Sequence, residues 1–347
     1  MQIGLFHLFP RRDPAKPVAQ VFDEARDQVM LADRLGFDFA WFAEHHFSNF
    51  SLCPSPLMMV AWCAGQTQRI RLGAGVAVLP LYNPMRLLDE VTWAQTVSKG
   101  RMILGVGTGN QLHEFRGLGV APEVAYERFS EALDILHMGL HGEEVEYSGR
   151  HFNVPATHLS LRSSTPPEIW VAGARIPGMA ERIASKGYVP FVAAAWIPAK
   201  TLLPARAAYQ QAWTAAGRKG ETPFGIQRNV YVSVDEKDRL EAAGHARHTH
   251  RMIHSLKGKL AQLPQAIVPE VAAPDEHSLE QIADMAVIGD AEHCARRIFE
   301  DVETLKITHL SMNMQFGGLS GEKVLASMQR FAEQVVPRLR AAGVQVS

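Results

Sequence analysis

Glu44, His45 and His46 stand together at the end of a short apolar run, Phe39-Ala40-Trp41-Phe42-Ala43. A carboxylate beside two imidazoles can give, take and relay protons near neutral pH. The run is of strand length and apolar throughout, as in a parallel sheet covered on both faces. Before it, Val18 to Leu35 is an amphipathic helical stretch, closed by the stop-and-turn residues Gly36-Phe37-Asp38. Acid and imidazole groups at the carboxyl end of a buried parallel strand sit where barrel enzymes carry their chemistry. The alternative for each residue is structural: a histidine held by hydrogen bonds, or Glu44 paired with an arginine.

Three further stretches could bind or react. Gly105-Val106-Gly107-Thr108-Gly109-Asn110 follows another apolar run, but its glycine spacing is wrong for a dinucleotide fingerprint. Glycines at a strand end let a flat ligand or a phosphate approach the backbone, or else allow tight barrel packing. Trp170 to Met179 runs from a strand into a helix, with Pro177 at its first turn. Free amides there, with Arg175 beside them, make an anion site; the alternative is an Arg175–Glu181 pair. His245, His248, His250 and His254 raise a metal site, and with it a metal-dependent barrel hydrolase. No Asp, Glu or Cys lies among them, so a solvated helix face is the better reading and no metal is expected.

These residues need a scaffold, and the pattern supplies one. Strand candidates are Ile3–Phe9, Phe39–Ala43, Ile70–Leu79, Met102–Gly107, Glu168–Ala172, Val189–Ala194, Phe224–Val234 and His309–Met314. Helical runs at 18–35, 56–67, 84–98, 124–139, 177–186, 198–216, 236–254 and 322–341 follow them, and another at 291–304 precedes the last strand. Eight strands alternating with helices predict an α/β fold of the (β/α)8 TIM-barrel type, read as one domain over 1–347. Two insertions interrupt it. Residues 143–167 read as a hairpin before the fifth strand. Residues 255–289, after the seventh, are rich in Pro, Ala and Gln, lack clear periodicity and read as a lid.

Composition narrows the function classes. The 347 residues carry a formal charge of −1 with acids and bases mixed, so no field is built for nucleic acid or an anionic membrane. No apolar run approaches the ~20 residues of a membrane helix. The N-terminus starts with a strand-like run and lacks a signal peptide's charged head and cleavage site. Cys53, Cys63 and Cys294 make neither a disulfide framework nor a zinc motif, so the cytoplasm is the expected compartment.

In order and spacing, the chain resembles the bacterial luciferase-like flavin monooxygenases over nearly its whole length. The resemblance rests on Glu44-His45-His46-Phe47 with Asn49-Phe50, on Leu72-Gly73-Ala74-Gly75-Val76-Ala77-Val78-Leu79-Pro80, and on Asn83-Pro84 with Arg86. It continues through Ser98-Lys99-Gly100-Arg101, the glycine run after it, and Glu114-Phe115-Arg116 with Gly119. Val171-Ala172-Gly173, Gly187-Tyr188-Val189-Pro190, Phe316-Gly317-Gly318-Leu319 and Val335-Val336-Pro337 complete it.

The resemblance implies a homodimeric barrel that takes reduced FMN from a separate flavin reductase. The flavin would react with O2 to a C4a-(hydro)peroxide and oxygenate a small organic substrate. His45 matches the proton-handling histidine, with Glu44 to orient or tune it. Gly75-Val76 matches a β-bulge whose non-proline cis peptide lies against the flavin ring. Gly107 and Thr108 stand where the luciferase catalytic subunit has a reactive cysteine and an arginine. Arg128 matches a phosphate-binding arginine, and Gly173 and Ala174 match the phosphate-binding turn, with Arg175 replacing the lost contact. Such chemistry needs a dry apolar pocket. Phe6, Trp41, Phe42 and Trp196 are candidate walls, with Trp196 toward the cofactor and Phe6 and His46 toward the substrate. Two rivals stay open: hydride transfer with a deazaflavin, and a flavin-binding protein without turnover. Nothing supports light emission or a long-chain aldehyde substrate.

Overall fold

A computed structural model describes residues 1–173, 176, 178–256 and 263–347. Eight parallel strands form a closed ring: β1 (Gln2–His7), β2 (Phe39–Phe42), β3 (Arg71–Val78), β4 (Met102–Gly107), β5 (Glu168–Ala172), β6 (Val189–Ala193), β7 (Gly225–Val232) and β8 (His309–Asn313). Each pairs with the next in sequence, and β8 closes on β1 with Met312 beside Leu5. With helices around it, this is a (β/α)8 barrel. The strand candidates are recovered to within about two residues at either end, the usual margin for such boundaries. β1 stops at His7 because Phe9 takes a positive φ of 61°, outside strand geometry.

The outer helices follow from local chemistry. Val18–Leu35 buries Val21, Ala25, Val29 and Ala32 on one face and ends at Gly36, whose left-handed φ of 88° suits a residue without a Cβ. Pro84–Val97 starts with a proline at its first position, and the Asn83 side chain accepts from the amides of Met85 and Arg86. The expected helix at 322–341 is instead Gly321–Arg330, a wide turn over Phe331–Val335, and Val336–Ala341. Pro337 has no N–H to give the preceding turn, which explains the break.

Strand alternation decides which aromatics fill the barrel. Phe39, Trp41, Ile103, Trp170, Val189 and Phe191 form one interior cluster. Glycines make room for it: a Cβ on Gly73 would lie 2.6 Å from the Trp41 ring, and one on Gly225 would lie 2.9 Å from Trp170. Trp41 is therefore part of the barrel's plug, not a pocket wall. Phe42, one residue on, points outward and packs on His7 at 5.7 Å. A period of two puts consecutive side chains on opposite faces, which corrects the expectation that both could line a pocket. With the lower barrel filled, the open end for a ligand is at the carboxyl ends of the strands.

Both insertions contain regular structure. Glu144–Ser148 and Asn153–His158 form the antiparallel hairpin anticipated before β5. Its turn is held by the Glu131 carboxylate, which accepts from the amides of Arg150, His151 and Phe152. In 255–289, a helix at Leu279–Met285 opens with a Ser278–Gln281 capping box, and Val287–Gly289 adds a strand parallel to the end of β7. Elements of three and seven residues are too short to leave a period in the sequence. Among the described residues, no helix is long and apolar enough to cross a membrane.

Candidate active site

The site is assembled where β2 ends beside β3. Glu44 is buried, and its carboxylate closes three bonds. It accepts from the Val78 amide at 2.9 Å and from the Tyr82 hydroxyl at 2.8 Å, and its Oε1 lies 2.9 Å from His46 Nε2. The expectation that Glu44 orients His45 is corrected here. The residue before His45 turns its side chain toward β3, where the Val78 amide and His46 meet it. Burial pushes the Tyr82 hydroxyl well above its ordinary value, with the Glu44 charge and hydrogen bond adding to it.

His45 is held by a residue that sequence reading gave no role. Glu114, buried in the short helix Leu112–Gly117 after β4, lies 2.9 Å from His45 Nδ1 and also accepts from the His46 amide at 2.9 Å. A carboxylate only accepts, so the Nδ1 of His45 carries a proton and donates. Its Nε2 makes no hydrogen bond among the described residues and is left to take or give a proton. Burial favours the neutral form of Glu114, but the hydrogen bond and charge of His45 and the His46 amide outweigh it, and the carboxyl sits below its ordinary range. Burial likewise opposes a charged His46, yet the Glu44 hydrogen bond and charge, with Glu114 beyond, raise it above its ordinary value. His113 Nε2 lies 3.1 Å from the His46 carbonyl. The signal for Glu114 was its place in the Glu114-Phe115-Arg116 motif, but its partner lies 69 residues away.

The neighbouring wall is flat. The Gly75-Val76 peptide is cis, and the β3–β4 register shifts between Ala74 and Ala77, as the resemblance implied. A Cβ on Gly107 would come within 2.8 Å of the Val76 side chain. Thr108 bonds to the Gly109 carbonyl at 3.3 Å. The Arg128 Nε donates to the Pro80 carbonyl at 2.9 Å, just past β3, and its guanidinium lies over the Phe152 ring at 4.6 Å. After β5 the Gly173 carbonyl accepts from the Ile176 amide at 2.9 Å. Ala174 and Arg175 lie outside the described residues.

Apolar groups stand over the mouth. Phe6 bridges the plug and a second cluster of Leu8, Ala43, Phe50, Met252, Leu256 and Val268. Phe50 meets the His45 ring edge-on at 5.0 Å. Asn49 ties this loop to the insertion after β7: its amide donates to the Ala266 carbonyl, and its Oδ1 accepts from the Val268 amide, both at 2.9 Å. Trp196, after β6, packs edge-on against His250 at 4.6 Å. Two other histidines of the helix Glu236–Leu256 have separate partners: His245 accepts from the Gly318 amide at 3.0 Å, and His248 lies 3.0 Å from Glu270. Among the described residues no three His, Cys, Asp or Glu side chains gather as a metal site.

Comparison with known proteins gives the family and the fold. The family model described as luciferase-like monooxygenase matches residues 1–309. The uncharacterised protein y4vJ of Sinorhizobium fredii is 34% identical over 98% of this chain and 98% of its own length. The oxygenase component of the flavin-dependent trigonelline monooxygenase of Acinetobacter baylyi is 25% identical, over 97% of this chain and 95% of its own. In fold, the chain is similar to the monooxygenase RslO1 of Streptomyces bottropensis, with a TM-score of 0.86 at 24% identity over 97% of this chain and 99% of that one. The chain belongs to the luciferase-like monooxygenase family.

Proposed function

We propose that the protein is the oxygenase component of a two-component flavin monooxygenase, receiving reduced FMN from a separate flavin reductase and oxygenating a small organic substrate. The observation that carries this reading is His45: one ring nitrogen is fixed by buried Glu114, and the other is left for a proton beside a flat strand wall. The residues suit a flavin. Gly75, Val76 and Gly107 offer a face without bulky side chains, and Trp196, after β6, would be a further wall toward the cofactor. Arg128, with the turn at Gly173, Ala174 and Arg175, would hold the phosphate; Thr108 lies at the same rim. Bound reduced FMN supplies the two electrons that let O2 deliver one oxygen atom to the substrate and the other to water.

The protein's own part is to hold and move a proton at His45 Nε2, to fix that ring through Glu114, and to keep water out. Phe6, Phe50, Leu8 and Val268 supply the dry surface, and the segment around 255–289 acts as a lid anchored by Asn49. Glu44 and His46 brace the rim instead of reacting. We place the protein in the cytoplasm, as a homodimer. Helix Pro56–Ala64 is apolar on nearly every side, yet Met58 is 72% exposed, and Trp93 on the adjoining helix Pro84–Val97 is 52% exposed. A helix apolar all round calls for cover, and a second copy is the occupant.

Titrating the apoprotein with oxidised FMN, reduced FMN and reduced deazaflavin, then mixing with oxygen, tests the cofactor. Preferential binding of reduced FMN, with altered re-oxidation on the protein, supports the reading. Preference for the deazaflavin and no reaction with oxygen would sink it.

A further inference from the structure

Across the mouth from the Gly75-Val76 wall lie buried polar groups with no task in the chemistry above. Opposite strands of an eight-membered ring are four apart, so β7 faces β3 and β8 faces β4. The plug shows which side chains point inward: Gly225 of β7 abuts Trp170, and the His309 ring of β8 packs on Trp170 at 4.5 Å. The two-residue period then turns Gln227 and Asn229, and Ser311 and Asn313, into the same interior. Arg228, between the first two, points outward to Asp301 at 2.6 Å.

Asn229 and Asn313 are register partners at the upper end of this wall, 1% and 3% exposed. One bond joins them, from Asn313 Nδ2 to Asn229 Oδ1 at 3.1 Å. Asn229 Nδ2, Asn313 Oδ1 and, one step below, Ser311 Oγ have no hydrogen-bond partner among the described residues. Buried amides are costly when unpaired, so such a group calls for a partner. The two amides together present a donor beside an acceptor, whichever way each is turned, because a single bond between them always leaves one of each. That edge matches a lactam or amide, and its donor alone matches a ketone. The inward positions of both strands here are neutral, so a carboxylate or ammonium would lose its hydration without a counter-charge.

We propose that Asn229 and Asn313 form a subsite for a neutral carbonyl or amide group of the organic substrate, holding it across the barrel mouth from the flavin wall. As a substrate subsite it rests on the flavin reading; as a binding site it stands on the amide pair alone.

The test uses four ring compounds of similar size, 2-piperidone, cyclohexanone, cyclohexanecarboxylate and methylcyclohexane. Each is titrated anaerobically into the apoprotein and into protein loaded with reduced FMN, observed by NMR of the asparagine side-chain amides. The lactam and ketone are expected to bind about ten-fold or more tighter than the carboxylate and the hydrocarbon, and to shift the Asn229 and Asn313 signals. The double variant N229L/N313L removes both partners of the bond at nearly constant size, so the fold is kept while lactam affinity falls about ten-fold or more. Asn229→Asp, which still accepts from Asn313 but lacks the outward donor, should lose ketone and lactam binding alike. Equal lactam affinity in both variants, no preference over the carboxylate, or a probe-soaked crystal with only an ordered water on the pair would overturn the subsite. So would loss of reduced-FMN affinity with lactam affinity unchanged, which assigns the pair to the flavin's own pyrimidine edge. Wild-type protein that binds lactam but no FMN defeats the flavin reading and leaves the binding site; FMN without lactam does the reverse.

Discussion

The Glu114 carboxylate meets Nδ1 of His45 at 2.9 Å from the far side of β3, and the same oxygen takes the amide of His46. One buried oxygen therefore fixes both the ring and the backbone that carries it. A carboxylate in this position selects the imidazole tautomer and its orientation without itself reacting.

Glu114→Gln tests that relationship. The amide keeps the size but loses the charge, so turnover should fall by about ten- to a hundred-fold with KM for reduced FMN little changed. Acid unfolding tests the ion pair itself. Glu114 has a carboxyl lowered from 4.5, so its contribution is complete above that value and lost as pH falls through the folded value. The stability gap between wild type and variant should narrow in that window, and a constant gap would remove the ion-paired reading.

His45→Ala should slow substrate oxygenation by about 10²–10⁴, the range of general acid–base groups, with a much smaller change in flavin affinity. Single-turnover mixing of reduced FMN, enzyme and oxygen is the measurement, with the rate of flavin re-oxidation as readout until a substrate is found. Wild-type kinetics in the variant would leave His45 a structural residue.

His46→Gln separates bracing from chemistry. His46 is raised above 6.5 by its partner Glu44, so its stabilisation is full below that value and fades as pH rises through the folded value. Urea unfolding should show wild-type stability declining across this window and the variant's profile flatter. Turnover should change far less than in His45→Ala.

Arg128→Ala should weaken reduced FMN about ten-fold or more, because charge-assisted contacts to phosphate are strong, while the melting temperature moves little. Arg128 is half-buried and bonds one carbonyl, so the fold does not hang on it. Unchanged affinity in equilibrium titration would take Arg128 out of the site.

Trp93→Lys combined with Met58→Glu should turn a dimer into a monomer in light scattering without lowering helix content. Both side chains are already exposed, so only an interface would feel the change. A wild type that is monomeric at micromolar concentration would end the proposal.

Local pattern carried the architecture. Apolar runs of strand length, helical periods between them and the Asn83-Pro84 and Gly36 signals placed all eight barrel strands and most helices, because these depend on neighbours in the chain. The Glu-His-His triplet and the glycine stretch at the end of β4 marked the end of the barrel that carries the candidate site. The pairings within it were not legible. Glu44 goes to His46 and Glu114 to His45, because the register of β2 on β3 and the position of a helix 69 residues away decide which carboxylate reaches which ring. Trp41 and Phe42 are equally apolar in sequence, and only the pleat of β2 sends one into the plug and the other outward. Asn229 and Asn313 are unremarkable until β7 and β8 lie side by side and leave their amides facing inward. Contacts between distant segments cost chain entropy and are bought by the fold as a whole, so no local stretch encodes them.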